Sequence, residues 1–221
     1  MSITGAFLMK VDMHVHTSKS DGRDSVHNVI EAAEAKGLDL VAITDHGPGH
    51  GSAVTEKMVR ETRKEVELLQ PSYRVKVLVG IEAEILPTGE VYLSDRDGMD
   101  LVLASFHGAQ SWETYYHAVL RAVQDEKVDV LAHHAWSAGV QFSPIQEYED
   151  LLVEALRDNN VAIEINSKHC LPSWDFLAKC RDAGVKYTIG SDAHKVADVG
   201  SVAWANNTAR HIFKNEGLFL P

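Results

Sequence analysis

The sequence predicts an α/β fold with a parallel sheet, arranged either as an open wound sheet or as a barrel. Three observations favour this class: seven short apolar runs, amphipathic helical stretches between them, and a globular composition of 45% apolar and 24% charged residues. Nearly continuous apolar runs are typical of strands that are buried on both faces of a parallel sheet. No low-complexity tract or linker interrupts the 221 residues, so we expect one domain over residues 1–221.

The predicted strands are short runs of aliphatic and β-branched residues, each of a length usual for a strand. In chain order they cover residues 7–14, 40–44, 75–81, 101–105, 128–132, 161–165 and 185–189. A small additional hairpin is expected near residues 89–93, where glycine and charged residues interrupt the apolar pattern.

Apolar residues at helical spacing predict six helices between and after these strands. In the first, residues 26, 29, 30 and 33 share one face, Asp24 or Ser25 can cap its start, and Gly37 ends it. The other patterns lie at residues 58–69, 116–123, 145–156, 176–180 and 202–213.

The charge balance argues against two classes of partner. The chain has 21 Lys and Arg against 32 Asp and Glu, a net charge of −11. Because nucleic acid and anionic lipid attract cationic surfaces, we expect neither stable nucleic-acid binding nor membrane association. No apolar run approaches the roughly 20 residues that span a bilayer, and residues 1–10 lack the basic region of a signal peptide. Two cysteines, Cys170 and Cys180, suit a reducing cytoplasm, where we expect the protein to act. Its oligomeric state is not predicted.

Polar side chains that can bind metals follow the end of every predicted strand. In parallel α/β folds the carboxyl ends of the strands form the functional face, so these residues should meet there. A single histidine of this kind is usually an ordinary core or surface residue, but seven strand ends with such residues favour one shared site. In chain order they are His14 and His16, Asp45 and His46, Glu82 and Glu84, His107, His133 and His134, Glu164 and Asn166, and Asp192 and His194.

These residue types predict a centre of two or three metal ions. His14 and His16 are two residues apart in an extended strand, so their rings point to the same side, and Asp192 and His194 repeat this spacing. Mixed imidazole and carboxylate ligands favour zinc, manganese or iron over magnesium or calcium. About nine candidate ligands exceed the needs of one tetrahedral ion. Clustered ions can activate water and bind the oxygens of a phosphoryl group during in-line displacement.

Four segments resemble the signature motifs of the PHP (polymerase and histidinol phosphatase) superfamily. They read MHVHTSKSDG at residues 13–22, ITDH at 43–46, GIEAE at 80–84 and GSDAH at 190–194, in the order of the family. The resemblance, which is greatest to the small stand-alone phosphatase-like branch, implies a distorted (β/α)7 barrel of the TIM-like kind with a trinuclear centre. It also implies a metal-dependent phosphoesterase that hydrolyses a small phosphate monoester.

The resemblance assigns roles to individual residues. His14, His16 and Asp192 would hold one ion, which Glu82 would bridge to a second ion near Asp21. His133 would be a ligand by its place in the family pattern, with His134 as a competitor. The implied metal ligands are His14, His16, Asp21, His46, Glu82, His107, His133, Asp192 and His194, and the implied catalytic residues are Glu82, Asp192 and His194.

Residues beside the predicted ligands are candidates for binding the substrate. Lys168 and His169 could neutralise a phosphate, although a loop lysine is as often simply solvated. Asn166 could hold a substrate hydroxyl or, like Glu164, orient a ligand. His50 lies in the glycine-rich segment 47–51, which suits a mobile flap. Asp45, one position from His46 in the chain, should point away from it and serve the structure.

Three other functions are compatible with these predicted metal ligands. A nuclease that cleaves short oligonucleotides is disfavoured by the missing basic stripe. An amidohydrolase also opens with a His-x-His pair, but this chain lacks an obvious bridging lysine at the fourth strand. A metal-stabilised binding module without catalysis is the alternative from a different class of protein.

Overall fold

The computed structural model describes residues 9–109, 111–137, 139–143 and 145–221 of the chain. Within these residues the strands fall into one large sheet and one small hairpin. The strands are β1 (Val11–Val15), β2 (Leu40–Ile43), β3 (Lys76–Glu84), β4 (Leu101–Ser105), β5 (Val130–Leu131), β6 (Trp136–Ser137), β7 (Val140–Gln141), β8 (Ala162–Asn166) and β9 (Tyr187–Gly190).

The large sheet contains seven parallel strands in the order β1-β2-β3-β4-β5-β8-β9. All residues of β1, β2, β4, β8 and β9 are buried, as expected for strands covered on both faces. The first and last strands also approach each other. Just beyond their ends, the backbone N–H of His16 donates to the carbonyl of Ala193 over 2.8 Å. The sheet is therefore a nearly closed barrel, which confirms the predicted distorted TIM-like architecture.

Helices follow most of the strands and pack their apolar faces on the sheet or on each other. In α1 the buried residues are the four that the spacing predicted, and Ser25 rather than Asp24 caps the helix. Gly37 follows α1 with a φ of +67°, a conformation that favours glycine. The helices are α1 (Val26–Ala35), α2 (Glu56–Leu69), α3 (Trp112–Ala122), α4 (Gln146–Asp158), α5 (Trp174–Ala183) and α6 (Ala203–Ile212), with a 3₁₀ turn at Gln70–Ser72.

Three details differ from the sequence-based expectation. The hairpin expected near residues 89–93 is reduced to one antiparallel bridge between Ile85 and Val91. An unexpected hairpin, β6–β7, follows β5, which itself shrinks to two residues. Residues 7 and 8 of the first predicted strand lie outside the described residues, and that strand extends to Val15.

No helix in the described ranges has both the length and the apolar character needed to cross a bilayer.

A buried carboxylate joins the first strand to the segment after the last one. Asp12 accepts hydrogen bonds from the backbone N–H of Ser191 at 2.9 Å, the Ser191 hydroxyl at 2.6 Å and the N–H of Gly200 at 2.7 Å. The Asp12 side chain is fully buried, so water does not compete for these hydrogen bonds at the carboxylate. Asp12 therefore helps to close the barrel.

We predict that Asp12→Ala lowers the free energy of unfolding by about 3–5 kcal/mol, because it leaves two buried donors of Ser191 and the part-buried N–H of Gly200 without their acceptor. Asp12→Asn should cost less, since its amide oxygen can still accept one or two of these bonds. Urea denaturation of both variants would measure this order. The control is Asp39→Ala, which removes an exposed carboxylate that, among the described residues, accepts a hydrogen bond only from the backbone N–H of Lys10. Equal losses in Asp12→Ala and Asp39→Ala would contradict the role in closure.

Candidate active site

The predicted ligands converge at the carboxyl ends of the barrel strands. His14 lies in β1 and Glu82 in β3, and the others follow directly after strands or lie in the loops there. They surround a cavity of about 190 Å³. A larger open groove of about 700 Å³ runs beside Gly89 and Arg121, but its described lining contains no histidine. The small cavity is lined by Asp21, His46, His50, Glu82, His107, His133, Trp136, Lys168, His169, Asp192 and His194.

Glu82 lies at the centre of the cluster. Its Oε1 atom is 2.9 Å from Nε2 of His133 and 3.6 Å from Nε2 of His107. Its Oε2 atom is 2.8 Å from Nδ1 of His46 and 3.3 Å from Nε2 of His14. The two carboxylate oxygens thus face two different sets of imidazoles, which is the arrangement that a bridging carboxylate requires.

The remaining ligand atoms form overlapping groups. Asp21 lies on the outer side, with Oδ2 at 3.3 Å from Nε2 of His194 and 3.6 Å from Nε2 of His46. Because His16 and His46 each belong to two groups, neighbouring ions would share the same wall of side chains. The groups whose ligand atoms lie within 4.8 Å of one another are His14, His16 and Asp192; His16, Asp21, His46 and His194; and His46, Glu82 and His107.

The donor set fits divalent cations. Among the described residues, Nε2 of His14, both ring nitrogens of His16 and Oε2 of Glu82 are buried without a partner of hydrogen-bond geometry. Buried polar atoms are costly when unpaired, and Nε2 of His14 and Nε2 of His16 both face Oε2 of Glu82, at 3.3 and 3.5 Å. A cation among them would satisfy these atoms, so the residues present fit a metal site.

The electrostatics of the cluster also favour cations. Burial disfavours a charged ring at His14, but Glu164 and Glu82 outweigh burial and raise its pKa well above the usual value. The same balance raises the pKa of His46 to about 10, with Glu82 as the main opposing influence. His16 behaves differently, because burial lowers its pKa to about 4. Burial disfavours ionised Glu82 and Asp192, yet the histidines around them hold both pKa values well below the usual range. The carboxylates therefore remain anionic and attract positive charge.

Two further carboxylates orient the imidazole rings. Glu164 lies 2.8 Å from Nδ1 of His14 and accepts from the backbone N–H of His133 at 2.8 Å. Glu84 lies 2.6 Å from Nδ1 of His107. Holding the far ring nitrogen in this way leaves Nε2 free for a metal ion. The contacts of Glu164 match the orienting role that the sequence allowed for it. The contact of Glu84 with His107 was not predicted, although Glu84 lies two residues from Glu82 in the chain.

A glycine makes room for one of these carboxylates. A Cβ atom at Gly190 would overlap Oε1 of Glu164 and would lie 2.7 Å from Cβ of His14. The glycine that opens the GSDAH motif therefore lets Glu164 reach His14.

Asp45 and Asn166 support the site from outside the cavity. Asp45 accepts from the N–H and hydroxyl of Thr17, both at 2.7 Å, and from the Ser20 hydroxyl at 2.6 Å, so it holds the loop after β1. Asn166 is fully buried, and its amide contacts Glu164 at 3.2 Å and the N–H of His169 at 3.0 Å. These contacts match the orienting role that the sequence allowed for Asn166, and its contact with a substrate hydroxyl stays a prediction.

Of the two adjacent histidines after β5, His133 faces the cavity. Its Nε2 atom contacts Glu82, as described above. His134 turns into the core, with Nδ1 at 3.2 Å from the Tyr115 hydroxyl and its ring 4.5 Å from that of Phe176. Burial lowers the pKa of His134 to about 3, so its ring is neutral. The sequence left this choice open because the turn at His133, with a φ of +24°, is not visible in a pattern of apolar residues.

Candidate substrate-binding groups line the mouth of the cavity. Nζ of Lys168 is 3.0 Å from Oδ1 of Asp192, and Nε2 of His169 is 3.3 Å from Oδ2 of the same carboxylate. His50 stacks on His46, with ring centroids 3.7 Å apart. Trp136 stacks on His169 at 4.3 Å. Sequence analysis missed Trp136, because it lies on the unexpected β6–β7 hairpin; its position three residues after His133 was the available signal.

The comparison with protein families agrees with this geometry. The family model described as PHP domain matches residues 12–168. The chain belongs to the PHP family. The match begins beside the first histidine pair and covers the barrel through β8.

Individual relatives of this PHP protein include a phosphatase and a larger polymerase with exonuclease activity. A probable phosphatase from Acetivibrio thermocellus is 31% identical over 211 residues, covering 86% of this chain and 81% of the relative. The DNA polymerase/3'-5' exonuclease PolX of Bacillus subtilis is 30% identical over 202 residues, covering 85% of this chain. The chain spans only about a third of PolX, 35% of its length.

A solved structure shares the fold. The histidinol phosphate phosphatase of Lactococcus lactis, crystallised with zinc, L-histidinol and phosphate, superposes with a TM-score of 0.69 at 19% identity. The superposition covers 96% of this chain and 95% of that protein.

We predict that removal of metal lowers the melting temperature by about 5–10 °C, because ions that bind only the folded state stabilise it. Thermal melts of the protein as purified, after chelation and after addition of zinc, manganese or iron would measure the shift. His16→Gln should reduce it, while His117→Gln, at an exposed helical position, should retain it. An unchanged melting temperature after metal loss verified by elemental analysis would contradict the assignment.

Proposed function

We propose that this chain hydrolyses a small phosphate monoester at a centre of two or three divalent ions, with zinc, manganese or iron as the metal. The observation that carries the proposal is the position of Glu82, whose two oxygens face separate imidazole sets beside a cavity bordered by Lys168. Membership of the PHP family and the probable phosphatase from Acetivibrio thermocellus support it.

The role of each residue in this proposal follows from its position in the site. When bound, the divalent ions supply positive charge that activates water and neutralises phosphoryl oxygens. Glu82 sets the separation of the two imidazole sets from within the barrel. Asp192, with a φ of +52°, turns its carboxylate back toward His16, which lies 3.6 Å away. His194 holds the outer edge of the cluster beside Asp21. We propose catalytic roles for Glu82, Asp192 and His194 because these three side chains line the cavity that a phosphoryl group would enter.

Substrate recognition would begin at the mouth of the cavity. Lys168 and His169 lie on the same side of Asp192, where their donors can reach phosphate oxygens. The cavity of about 190 Å³ limits how much of a substrate can enter, so a small phosphate ester fits better than a polymer. A cytoplasmic location also belongs to the proposal; Cys170 and Cys180 are free thiols, as a reducing compartment requires.

A second candidate function is cleavage of a phosphodiester in a nucleotide chain. The relationship to PolX favours it, and Trp136 offers an aromatic surface beside the cavity for stacking a base. Against it, Lys168 is the only lysine or arginine among the described residues that line the cavity.

One set of assays separates these functions. Metal-loaded protein would be tested on p-nitrophenyl phosphate, bis(p-nitrophenyl) phosphate, a short oligonucleotide and a panel of amides. We expect the monoester to be hydrolysed fastest. Faster cleavage of the diesters would favour the nuclease, amide hydrolysis would favour an amidohydrolase, and background rates with all three metals would favour a binding module.

We predict that Glu82→Gln lowers kcat on p-nitrophenyl phosphate by about 10²-fold, roughly 2.7 kcal/mol, because a neutral amide bridges two cations poorly. The control is Glu61→Gln, at a side chain that is 55% exposed and paired with Lys57. Near-wild-type turnover by fully metallated Glu82→Gln would reject the bridging role.

Lys168→Ala should raise KM about tenfold and change kcat less, because an anchoring charge holds substrate and transition state alike. Lys186→Ala is the matched control, since Lys186 is exposed just before β9, at the opposite end of the barrel. Steady-state kinetics of the two variants would compare them. A fall in kcat without a rise in KM would contradict the anchoring role.

A further inference from the structure

The hydroxyl of Tyr115 lies directly beneath the loop that carries His133. Tyr115 belongs to α3 and is 1% exposed. Its hydroxyl accepts a hydrogen bond from the backbone N–H of Ala135 at 2.7 Å and lies 3.2 Å from Nδ1 of His134. The hydroxyl of the next residue, Tyr116, is also buried but forms no hydrogen bond with residues 133–136. The two adjacent tyrosines therefore differ, because only the hydroxyl of Tyr115 bonds the loop that carries His133.

The loop above Tyr115 has an unusual backbone. His133 has a φ of +24° and Ala135 a φ of +70°, values that side chains with a Cβ rarely adopt. Such residues cost of order 1–3 kcal/mol each and persist only where their surroundings fix them. Without a partner for the Ala135 N–H, the loop would lose a buried hydrogen bond at one of its two positive-φ residues.

This backbone determines what the loop presents to the site. It brings Nε2 of His133 to 2.9 Å from Glu82, and it turns Trp136 onto the rim of the cavity. Glu164 holds the loop from the other side through the N–H of His133. The loop is therefore fixed at two backbone amides, one by Glu164 and one by Tyr115.

We propose that Tyr115 is a positioning residue for the metal centre. Its hydroxyl fixes the backbone of residues 133–136 and so directs His133 toward Glu82, without itself touching metal or substrate. This inference rests on the proposed function, since it concerns the same centre. This role belongs to the hydroxyl of Tyr115 and not to its ring. The ring centroid lies 5.2 Å from that of Phe142, and the ring contributes to the core whether or not the hydroxyl is present.

Zinc affinity measures this role without any substrate. Competition with a chromophoric chelator would compare the wild type with Tyr115→Phe and Tyr116→Phe, which remove equivalent atoms from neighbouring buried rings. We expect Tyr115→Phe to weaken zinc binding by about 10–100-fold, the usual effect of losing a group that orients a ligand. Tyr116→Phe should bind zinc with wild-type affinity. Equal affinities of the two variants would overturn the proposal.

Two further measurements distinguish positioning from general destabilisation. The Ala135 amide should exchange its hydrogen faster in Tyr115→Phe than in Tyr116→Phe, because only the first loses its acceptor. In a His133→Ala background, Tyr115→Phe should cause no further loss of zinc affinity, since its effect passes through His133. A full, additive loss in that background would overturn the proposal, as would unchanged exchange at Ala135.

The readouts also separate this inference from the proposed function. A wild-type protein that binds zinc but hydrolyses no phosphate monoester would refute the function, while the affinity difference between the tyrosine variants would still support the role of Tyr115. A wild-type protein that hydrolyses the monoester, together with equally weakened zinc binding in both tyrosine variants, would refute the role of Tyr115 but not the proposed function.

Discussion

The carboxylate of Glu82 is buried among imidazole rings at the carboxyl end of the barrel, and much of the surrounding structure serves to keep it there. An isolated buried carboxylate is strongly disfavoured, so it must be matched by nearby positive charge. In the described structure that match comes from histidines contributed by several strands, while Glu164 and Glu84 hold the outer nitrogens of two of them. The same need explains the backbone conformations at His133 and Asp192, which turn side chains inward at the cost of strain.

This arrangement depends on a barrel that closes. His14 lies in β1, His16 follows it, and the segment after β9 supplies Asp192, so the two ends of the sheet must lie side by side. Asp12 contributes to that contact from beneath the site, through its bonds to Ser191 and Gly200. Stability and site geometry are thus linked at the same seam of the barrel.

The parallel α/β class could be predicted from repeating patterns, and the barrel from the resemblance of four motifs to a family. Apolar runs identify buried parallel strands, and the polar residue that ends each run must lie at the common edge of the sheet. Sequence reasoning could not identify what depends on tertiary geometry. The choice between His133 and His134 turns on one backbone dihedral. The amide of Asn166 is buried and bonded to Glu164 and His169 through the local geometry at the end of β8. Trp136 reaches the cavity through a hairpin only two residues per strand long. Glu84 lies beside Glu82 in the chain, but only the pairing of β3 with β4 brings it to His107.

The sequence separation of these contacts has a consequence for how the protein folds. Glu164 and His14 are 150 residues apart, and Asp12 and Ser191 are 179 residues apart. Two of the three ligand groups combine residues from both ends of the chain. Such non-local contacts form only after a large loss of loop entropy, and they slow folding relative to local structure. A chain in which β9 has not yet joined the sheet would therefore possess most of its helices and strands but neither of these two ligand groups, which become complete only when the segment after β9 lies beside β1.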